Sequence, residues 1–262
     1  MLALASLSGA SDAEWARDGA AFADLALLGG LAVDDASRDA ARDLVARGRR
    51  EFLPDDPLAF ADAELAALSE APIRPGLNVR SATLDPVREA AAVCARHDAV
   101  VEINAHCRQE ELCAAGCGER LLRDTGRLER YVAAASEAGA TVSVKVRAEV
   151  DGVDLPETAR RVAAAGADAI HVDAMDSEEV IAAVAAASDA VVVANNGVRD
   201  RATAWEYLAY GADGVSVGRP SDDPAVLRRV ARAVDDWWRR AAEDGATLDR
   251  ERERDREPEV PG

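Results

Sequence analysis

The chain has 262 residues, of which 49 are acidic and 31 are Lys or Arg, giving a formal net charge of −18, and 49% are apolar. This apolar content excludes a disordered acidic chain and suits one large α/β domain or two small ones. The acidic composition indicates a halophilic host and disfavours a general nucleic-acid-binding surface at low salt. With no signal-peptide pattern and no run of about 20 apolar residues, we expect a cytoplasmic protein with reduced thiols and no membrane partner.

Short apolar runs alternate with helical patterns along most of the chain. The eight predicted strands are 2–7, 23–28, 76–80, 99–104, 141–147, 169–173, 190–195 and 214–218. Helical patterns at 85–97, 156–166 and 201–211 lie between them. The strands are continuously apolar, as expected when helices cover both faces of a parallel sheet. Eight such units predict an α/β fold of the (β/α)₈ TIM-barrel type, with a doubly wound sheet as the alternative.

Two segments depart from this alternation. Residues 49–75 are rich in proline and are predicted to be a short insertion after the second unit. Residues 244–262 are strongly charged and are predicted to be a disordered tail. The sequence therefore predicts a single barrel domain over residues 1–243.

Polar residues follow the predicted strands at the point where each strand ends. In a TIM barrel these ends meet at one face, where the active site lies. The candidates are Asn104 and Cys107 after strand four, Lys145 and Arg147 on strand five, His171 on strand six, Asn196 and Gly197 after strand seven, and Gly218 and Arg219 after strand eight.

Lys145 is the only lysine in the chain. In "VSVKVR" it alternates with valines, so it is predicted to point into the barrel while the valines pack under the helices. A buried ammonium group without a partner costs several kcal/mol, on the order of 3–5. Lys145 therefore needs either a structural ion pair, for which Glu102 is the candidate, or a cofactor or substrate at the mouth.

The turns "NNG" and "GR" after strands seven and eight predict a phosphate site. Backbone N–H groups at Gly197 and Gly218 can approach an anion closely, and Arg219 can add a bidentate contact. The alternative is that both are ordinary turn glycines.

The cysteine-containing segment is "EINAHCRQEELCAAGCG", in which Cys107 directly follows strand four. The spacing of Cys107, Cys113 and Cys117 lacks the CxxC pairs typical of zinc or iron–sulfur sites, so we predict no metal site. Cys113 and Cys117 are predicted to be small buried side chains, and a further role for them stays open.

Five motifs in order resemble those of the dihydrouridine synthase family, flavin-dependent barrels that reduce uridine in tRNA. "EINAHC" (102–107) precedes "GCGERLL" (116–122), and "VKVR" contains Lys145 and Arg147. His171 in "IHVD", the Asn196–Gly197 turn and the Gly218–Arg219 pair follow. The resemblance covers residues 76–220 well and residues 1–48 faintly.

The resemblance implies FMN as cofactor and a uracil-type substrate, with tRNA as the candidate macromolecular partner and NAD(P)H as the candidate reductant. It places Lys145 near the pyrimidine edge of the flavin and Asn104, Arg147 and His171 around the flavin or substrate. It assigns the phosphate to Gly197, Gly218 and Arg219, and it matches Asn196 to the cofactor-binding turn after strand seven. Cys107 would be the general acid that protonates a uracil carbon.

Several positions differ from the family pattern. His106 and Arg108 flank Cys107 where the family has Gly and Pro, and Arg80 replaces a glutamine that contacts flavin. About 40 residues follow Arg219, so we expect a divergent archaeal branch without the C-terminal helical domain that grips tRNA.

Three alternatives stay open. One is a flavoenzyme resembling dihydroorotate or dihydropyrimidine dehydrogenase that acts on a free pyrimidine. Another is a flavin-free phosphate-binding barrel, a lyase or isomerase that uses Lys145 as a Schiff-base amine. The third is a binding or regulatory barrel that has lost its catalytic acid. No protein partner is evident from the sequence.

Overall fold

The computed structural model describes residues 1–254, and side chains as far as Glu243. Eight parallel strands close into a barrel in sequence order, with β8 pairing back to β1. The closed barrel confirms the predicted (β/α)₈ fold and excludes the doubly wound sheet. The strands are β1 (Leu2–Leu4), β2 (Leu25–Ala32), β3 (Arg74–Arg80), β4 (Val100–Asn104), β5 (Thr141–Arg147), β6 (Ala169–Asp173), β7 (Val191–Asn195) and β8 (Gly214–Val217).

Helices surround the barrel and alternate with its strands. They are α1 (Ala13–Gly19), α2 (Asp35–Ala46), α3 (Pro57–Ala66), α4 (Leu84–Arg96), α5 (Glu110–Ala114), α6 (Glu119–Leu122), α7 (Thr125–Glu137), α8 (Leu155–Ala164), α9 (Val180–Ala187), α10 (Arg201–Ala209) and α11 (Pro224–Arg254), with a 3-10 turn at Arg219–Asp222. The three predicted helical segments are present as α4, α8 and α10. Gly166 and Gly211 follow α8 and α10 with φ of 108° and 94°, which glycine adopts without strain.

Two helices, not one, connect β2 to β3. The predicted insertion, residues 49–75, contains α3 and the first residues of β3. Helix α3 packs against α4 and β3, whereas α2 packs against α5. Between α2 and α3 the chain passes so close to the turn after β1 that a Cβ on Gly9 would lie 2.6 Å from the carbonyl carbon of Arg50. This part of the segment therefore lies over the mouth of the barrel.

The C-terminal helix, α11, is the longest helix of the described chain, with 31 residues. Helix α11 ends at Arg254, so the predicted tail from residue 244 begins within it. The remainder of that predicted tail, residues 255–262, lies outside the described residues. Within residues 1–254, no helix is long and apolar enough to cross a membrane.

The barrel interior has an apolar lower half and a polar upper half. The lower half contains a small cluster made of Ala3, Leu25, Leu27, Val100 and Val193. Beside it lies a cavity of about 360 Å³, which reaches up to the side chains of Glu102 and His171. Barrels of this type are usually filled by layers of bulky branched side chains. The polar upper half therefore has a purpose other than packing.

Candidate functional site

Lys145 lies inside the barrel, as the strand alternation predicts. It is 2% exposed and pairs in register with Asn104 on β4 and His171 on β6. Among the described residues, with side chains as far as Glu243, no group forms a hydrogen bond or ion pair with its ammonium nitrogen. Glu102, the candidate structural partner, pairs with His171 instead. The ammonium group is thus buried at the mouth without a protein partner.

Three other side chains contact the carboxylate of Glu102. Its Oε1 accepts a hydrogen bond from Asn78 Nδ2 at 2.7 Å, and its Oε2 lies 2.7 Å from His171 Nδ1 and 3.3 Å from Ser143 Oγ. Burial acts to raise the pKa of this carboxyl group, but the interaction with His171, the charge of Lys145 and the hydrogen bond from Asn78 outweigh it. The pKa of Glu102 is therefore lowered, and the group is an ionised acceptor.

The state of His171 follows from that of Glu102. Burial, and then the charge of Lys145, lower the pKa of the ring, so it is neutral at pH 7. Because an ionised carboxylate only accepts, we assign the ring proton to Nδ1. Nε2 then accepts from Ser216 Oγ at 2.7 Å. Both ring nitrogens are engaged below the mouth.

Asn104 holds the loop that carries Cys107. Its Oδ1 accepts from the backbone N–H groups of Cys107 at 3.2 Å and His106 at 3.4 Å. The Cys107 carbonyl accepts from Glu119 N at 2.8 Å. Gly118, with φ of 57°, passes so close that a Cβ there would lie 2.2 Å from the same carbonyl oxygen. Cys107 is thereby fixed at the end of β4 with only 6% of its surface exposed.

Arg80 places a guanidinium group beside Cys107. Its Nη1 forms a buried ion pair with Glu51 Oε2 at 2.6 Å, and its Nη2 contacts Ser8 Oγ. Burial acts to lower the pKa of Arg80, but the neighbouring Cys107 sulfur and the Glu51 carboxylate raise it. Arg108, which adjoins Cys107 in sequence, is exposed. The cation next to the thiol therefore comes from β3.

Two further groups at the mouth have unused hydrogen-bonding capacity. His106 Nδ1 and Arg147 Nε are shielded from solvent and have no partner within the described residues. Burial, followed by the charges of Lys145 and other cations, lowers the pKa of His106 well below its ordinary value. The carboxylate nearest to Arg147 belongs to Glu119, at 3.9 Å. The mouth is therefore rich in donors and positive charge that the protein itself does not satisfy.

A second pocket, of about 440 Å³, lies at the ends of β6, β7 and β8. Asn196 and Gly197 are both in the left-handed region, with φ of 101° and 67°, and the Asn196 carbonyl accepts from Tyr207 Oη at 2.9 Å. A Cβ on Gly218 would meet only open space. The residues that line this pocket are Asp173, Asn195, Asn196, Gly197, Val198, Arg199, Ser216, Gly218, Arg219 and Pro220.

The structure brings the predicted site residues together in two adjoining groups. The mouth holds Asn104, Cys107, Lys145, Arg147 and His171, and the second pocket holds Asn196, Gly197, Gly218 and Arg219. Sequence reasoning missed Asn78, Arg199 and Ser216 in these two groups, and Glu51 in the segment above the mouth. Alternation along β3 and β8 could have indicated Asn78 and Ser216. Across the described chain, no cluster of three or more His, Cys, Asp or Glu is arranged to hold a metal ion.

A closed parallel barrel whose polar and cationic residues gather at the carboxyl ends of its strands has the architecture of the TIM-barrel enzymes. Within that class, the model of the dihydrouridine synthase family matches residues 77–246, so the chain belongs to this family. The resemblance seen in the sequence is thereby confirmed. Members of the family are oxidoreductases that generally bind FMN and act on tRNA uracil with NADPH.

Three individual proteins are similar to this chain at low sequence identity. An uncharacterized protein of Methanocaldococcus jannaschii is 26% identical over 229 residues, which cover 82% of this chain and 87% of that protein. FabK from Thermotoga maritima is 16% identical with a TM-score of 0.56, covering 83% of this chain and 57% of FabK. Orotidine 5'-phosphate decarboxylase from Pyrococcus horikoshii is 12% identical with a TM-score of 0.57, covering 90% and 99%. At these identities the two solved structures support the fold alone.

Proposed function

We propose that the chain is an FMN-dependent oxidoreductase that transfers a hydride between flavin and a uracil-type ring, as tRNA-dihydrouridine synthases do. Family membership supplies the cofactor class, and Lys145 carries the proposal. Its ammonium group is buried at the mouth without a partner within the described residues, at the position that matches the lysine of the family motif. A group in that state needs an electron-rich ligand to offset its desolvation.

The residues at the mouth fit the flavin ring. A flavin presents carbonyl oxygens and gains negative charge at its pyrimidine edge on reduction. Lys145 and the unpartnered Arg147 Nε can donate to that edge, and Asn104 and His171 line the floor. The arrangement is therefore suited to binding the reduced ring more tightly than the oxidised one.

The second pocket fits the FMN phosphate. Its glycine backbone at Gly197 and Gly218 leaves room for an anion, and Arg219 can add a charge-assisted bond. Arg199 lies in the same pocket, with Nη1 bonded to the Gly197 carbonyl at 3.0 Å. Asp173 opposes the phosphate charge, but it is one carboxylate against two guanidinium groups.

In the reaction that we propose, FMN held at the mouth and reduced by NAD(P)H would supply a hydride to one carbon of the uracil ring. The Cys107 thiol protonates the neighbouring carbon, which completes the addition of two hydrogens across the double bond. Arg80, beside the thiol, stabilises the thiolate that remains until solvent restores its proton. Asn104 holds the loop so that the thiol stays at the mouth.

A comparison of two cysteine variants tests the proposal. The purified protein should be yellow and release FMN on denaturation. Cys107→Ala should keep the flavin and lose turnover by about 10²-fold or more, the usual contribution of a positioned acid. Cys113→Ala is the matched control, because Cys113 lies six residues further along the chain on α5, and it should retain activity. A colourless protein that forms a stable adduct with a carbonyl substrate when borohydride is added would instead support the Schiff-base alternative.

The proposal also names a substrate and a reductant. We propose uridine in tRNA as the substrate and NAD(P)H as the reductant, as in the family. Loss of dihydrouridine from the tRNA of a strain that lacks the gene would support this. Unchanged dihydrouridine, together with flavin reduction of a free pyrimidine, would point to the dehydrogenase-like alternative.

A further inference from the structure

A continuous chain of hydrogen bonds crosses the barrel from the Cys107 loop to the second pocket. On one side of Glu102, Asn78 Nδ2 donates to Oε1 at 2.7 Å, and Asn104 Nδ2 donates to Asn78 Oδ1 at 2.8 Å. Asn104 Oδ1 then accepts from the backbone of Cys107. We call this series the cysteine branch.

On the other side of Glu102, the chain runs through the floor of the second pocket. His171 Nδ1 lies 2.7 Å from Oε2, and His171 Nε2 lies 2.7 Å from Ser216 Oγ. Asn195 Nδ2 donates to Ser216 Oγ at 2.7 Å. We call this series the pocket branch, because Asn195 and Ser216 both line the second pocket.

The direction of every bond in both branches is set by the group in the middle. An ionised carboxylate can only accept, so Asn78 must turn its nitrogen to Glu102 and its oxygen to Asn104. Asn104 must then offer its oxygen to the Cys107 N–H. In the same way, His171 must donate from Nδ1 and accept at Nε2.

Packing alone does not hold this layer in place. Glu102, His171 and Ser143 line the cavity of about 360 Å³, so packing against this layer from the lower half of the barrel is incomplete. Glu102 itself is fully buried and cannot obtain alternative partners from bulk solvent. The orientation of the layer therefore depends on hydrogen bonds that originate at one carboxylate.

We propose that Glu102 is a positioning residue whose carboxylate orients both the loop that carries Cys107 and the polar floor of the second pocket. A role for Glu102 in catalysis rests on the proposed function. The directions of the hydrogen bonds in the flavin-free protein do not depend on that function.

Glu102→Gln is the informative substitution because glutamine keeps the shape but offers one acceptor and one donor. If its nitrogen faces His171, the ring must move its proton from Nδ1 to Nε2, and the pocket branch changes. If its nitrogen faces Asn78, the amides of Asn78 and Asn104 must turn, and the Cys107 N–H loses its acceptor. One branch therefore breaks whichever way the glutamine points.

Two measurements on the flavin-free full chain test this. Nitrogen NMR of the His171 ring reports the protonated nitrogen, and hydrogen exchange reports the protection of the Cys107 amide. In the unsubstituted protein we expect the proton on Nδ1. In Glu102→Gln we expect either a proton on Nε2 or an increase in Cys107 amide exchange of about tenfold, the effect of one lost hydrogen bond.

Ser143→Ala is the matched control. Ser143 contacts the same carboxylate at 3.3 Å but belongs to neither branch, so both readouts should stay as in the unsubstituted protein. A Glu102→Gln protein in which neither readout changes would overturn the proposal. A proton on Nε2 in the unsubstituted protein would overturn it without any variant. Because no flavin is present, neither result depends on whether the protein uses FMN.

Discussion

At the scale of single residues, Lys145 is buried without a hydrogen-bond partner among the described residues, although the charge of Glu102 acts on it at longer range. For the flavin-free Lys145→Ala protein we expect a free energy of unfolding that is unchanged or higher, since the substitution leaves no orphaned partner. FMN affinity should fall by about tenfold to 100-fold, the range expected for one charge-assisted hydrogen bond. Fluorescence titration with FMN and urea unfolding measure the two quantities.

The control for Lys145 is Arg74→Ala at the opposite end of the barrel. Arg74 is a partly exposed cation paired with Asp98 at 3.3 Å, and it should change neither FMN affinity nor stability appreciably. If Lys145→Ala loses stability and keeps its FMN affinity, Lys145 is a structural residue and the proposed flavin site is wrong.

His106 and His171 predict how stability depends on pH. The pKa of each ring is held below its ordinary value of about 6.5, so the unfolded chain binds more protons than the folded one below that pH. The stabilisation is present above about pH 6.5 and is lost as the pH falls towards the folded-state pKa. Glu102, with a lowered pKa, adds loss in the same direction at more acid pH.

The measurement is the free energy of unfolding between pH 7 and pH 5. One histidine changes the free energy of unfolding by at most about 1.4 kcal/mol per pH unit. His106→Asn should remove the part of the pH dependence that comes from His106. His97→Asn serves as the control, because His97 bonds the partly exposed Asp62 at the protein surface. Equal slopes in His106→Asn and the unsubstituted protein would contradict the interpretation.

Some residue-level features follow from sequence alone and others do not. Alternation in β5 correctly directs Lys145 inward, because parity along a strand is a local property. The partners of Glu102 are set by which inward side chains meet across the barrel, and the lysine–glutamate ion pair considered from sequence does not form. Glu51 reaches Arg80 across 29 positions in sequence, and no local pattern indicates such a contact.

At the scale of elements, a buried ion pair between Glu51 and Arg80 connects the segment between α2 and α3 to the mouth of the barrel. Glu51 and Arg80 have side chains that are almost completely buried. Glu51→Leu should therefore lower the free energy of unfolding by about 3–5 kcal/mol, because it leaves the guanidinium buried without its counter-charge. Urea unfolding of the flavin-free protein measures the loss.

Two further variants of the chain serve as controls for that measurement. Glu51→Leu/Arg80→Met removes both charges and should recover most of the lost stability. Glu157→Ala breaks the Arg160 pair, which has a similar 2.6 Å distance but is exposed, and should cost less than about 1 kcal/mol. A Glu51→Leu protein as stable as Glu157→Ala would show that the segment is held by other contacts.

The elements themselves were largely predictable. All eight strands overlap the predicted apolar runs, although β2 continues to Ala32 and β3 begins at Arg74. The runs were visible because parallel strands covered on both faces are mainly apolar. The segment 49–75 was harder, since α3 begins with Pro57 and its proline-rich surroundings are typical of a loop. Proline at the first turn of a helix costs nothing, and Asp56 caps α3 by accepting from Leu58 N and Ala59 N at 3.0 Å.

At the scale of the whole molecule, the net charge of −18 sets how the fold responds to salt. The Debye length shortens from about 10 Å at 0.1 M salt to about 3 Å at 1 M, which screens repulsion among surface carboxylates. We therefore expect the Tm to rise with KCl over this range. Isosmotic sucrose is the control, because it stabilises by exclusion from the surface without screening charge.

A charge-reduced protein separates repulsion from general salt effects. Glu14, Asp18 and Glu70 are exposed and form no ion pair within the described residues, so replacing them with Gln, Asn and Gln removes repulsion at little structural cost. This protein should have a higher Tm at 0.1 M KCl and a smaller rise up to 1 M. Because self-repulsion acts against the compact state, equal salt responses in the two proteins would mean that the acidic surface serves solubility alone.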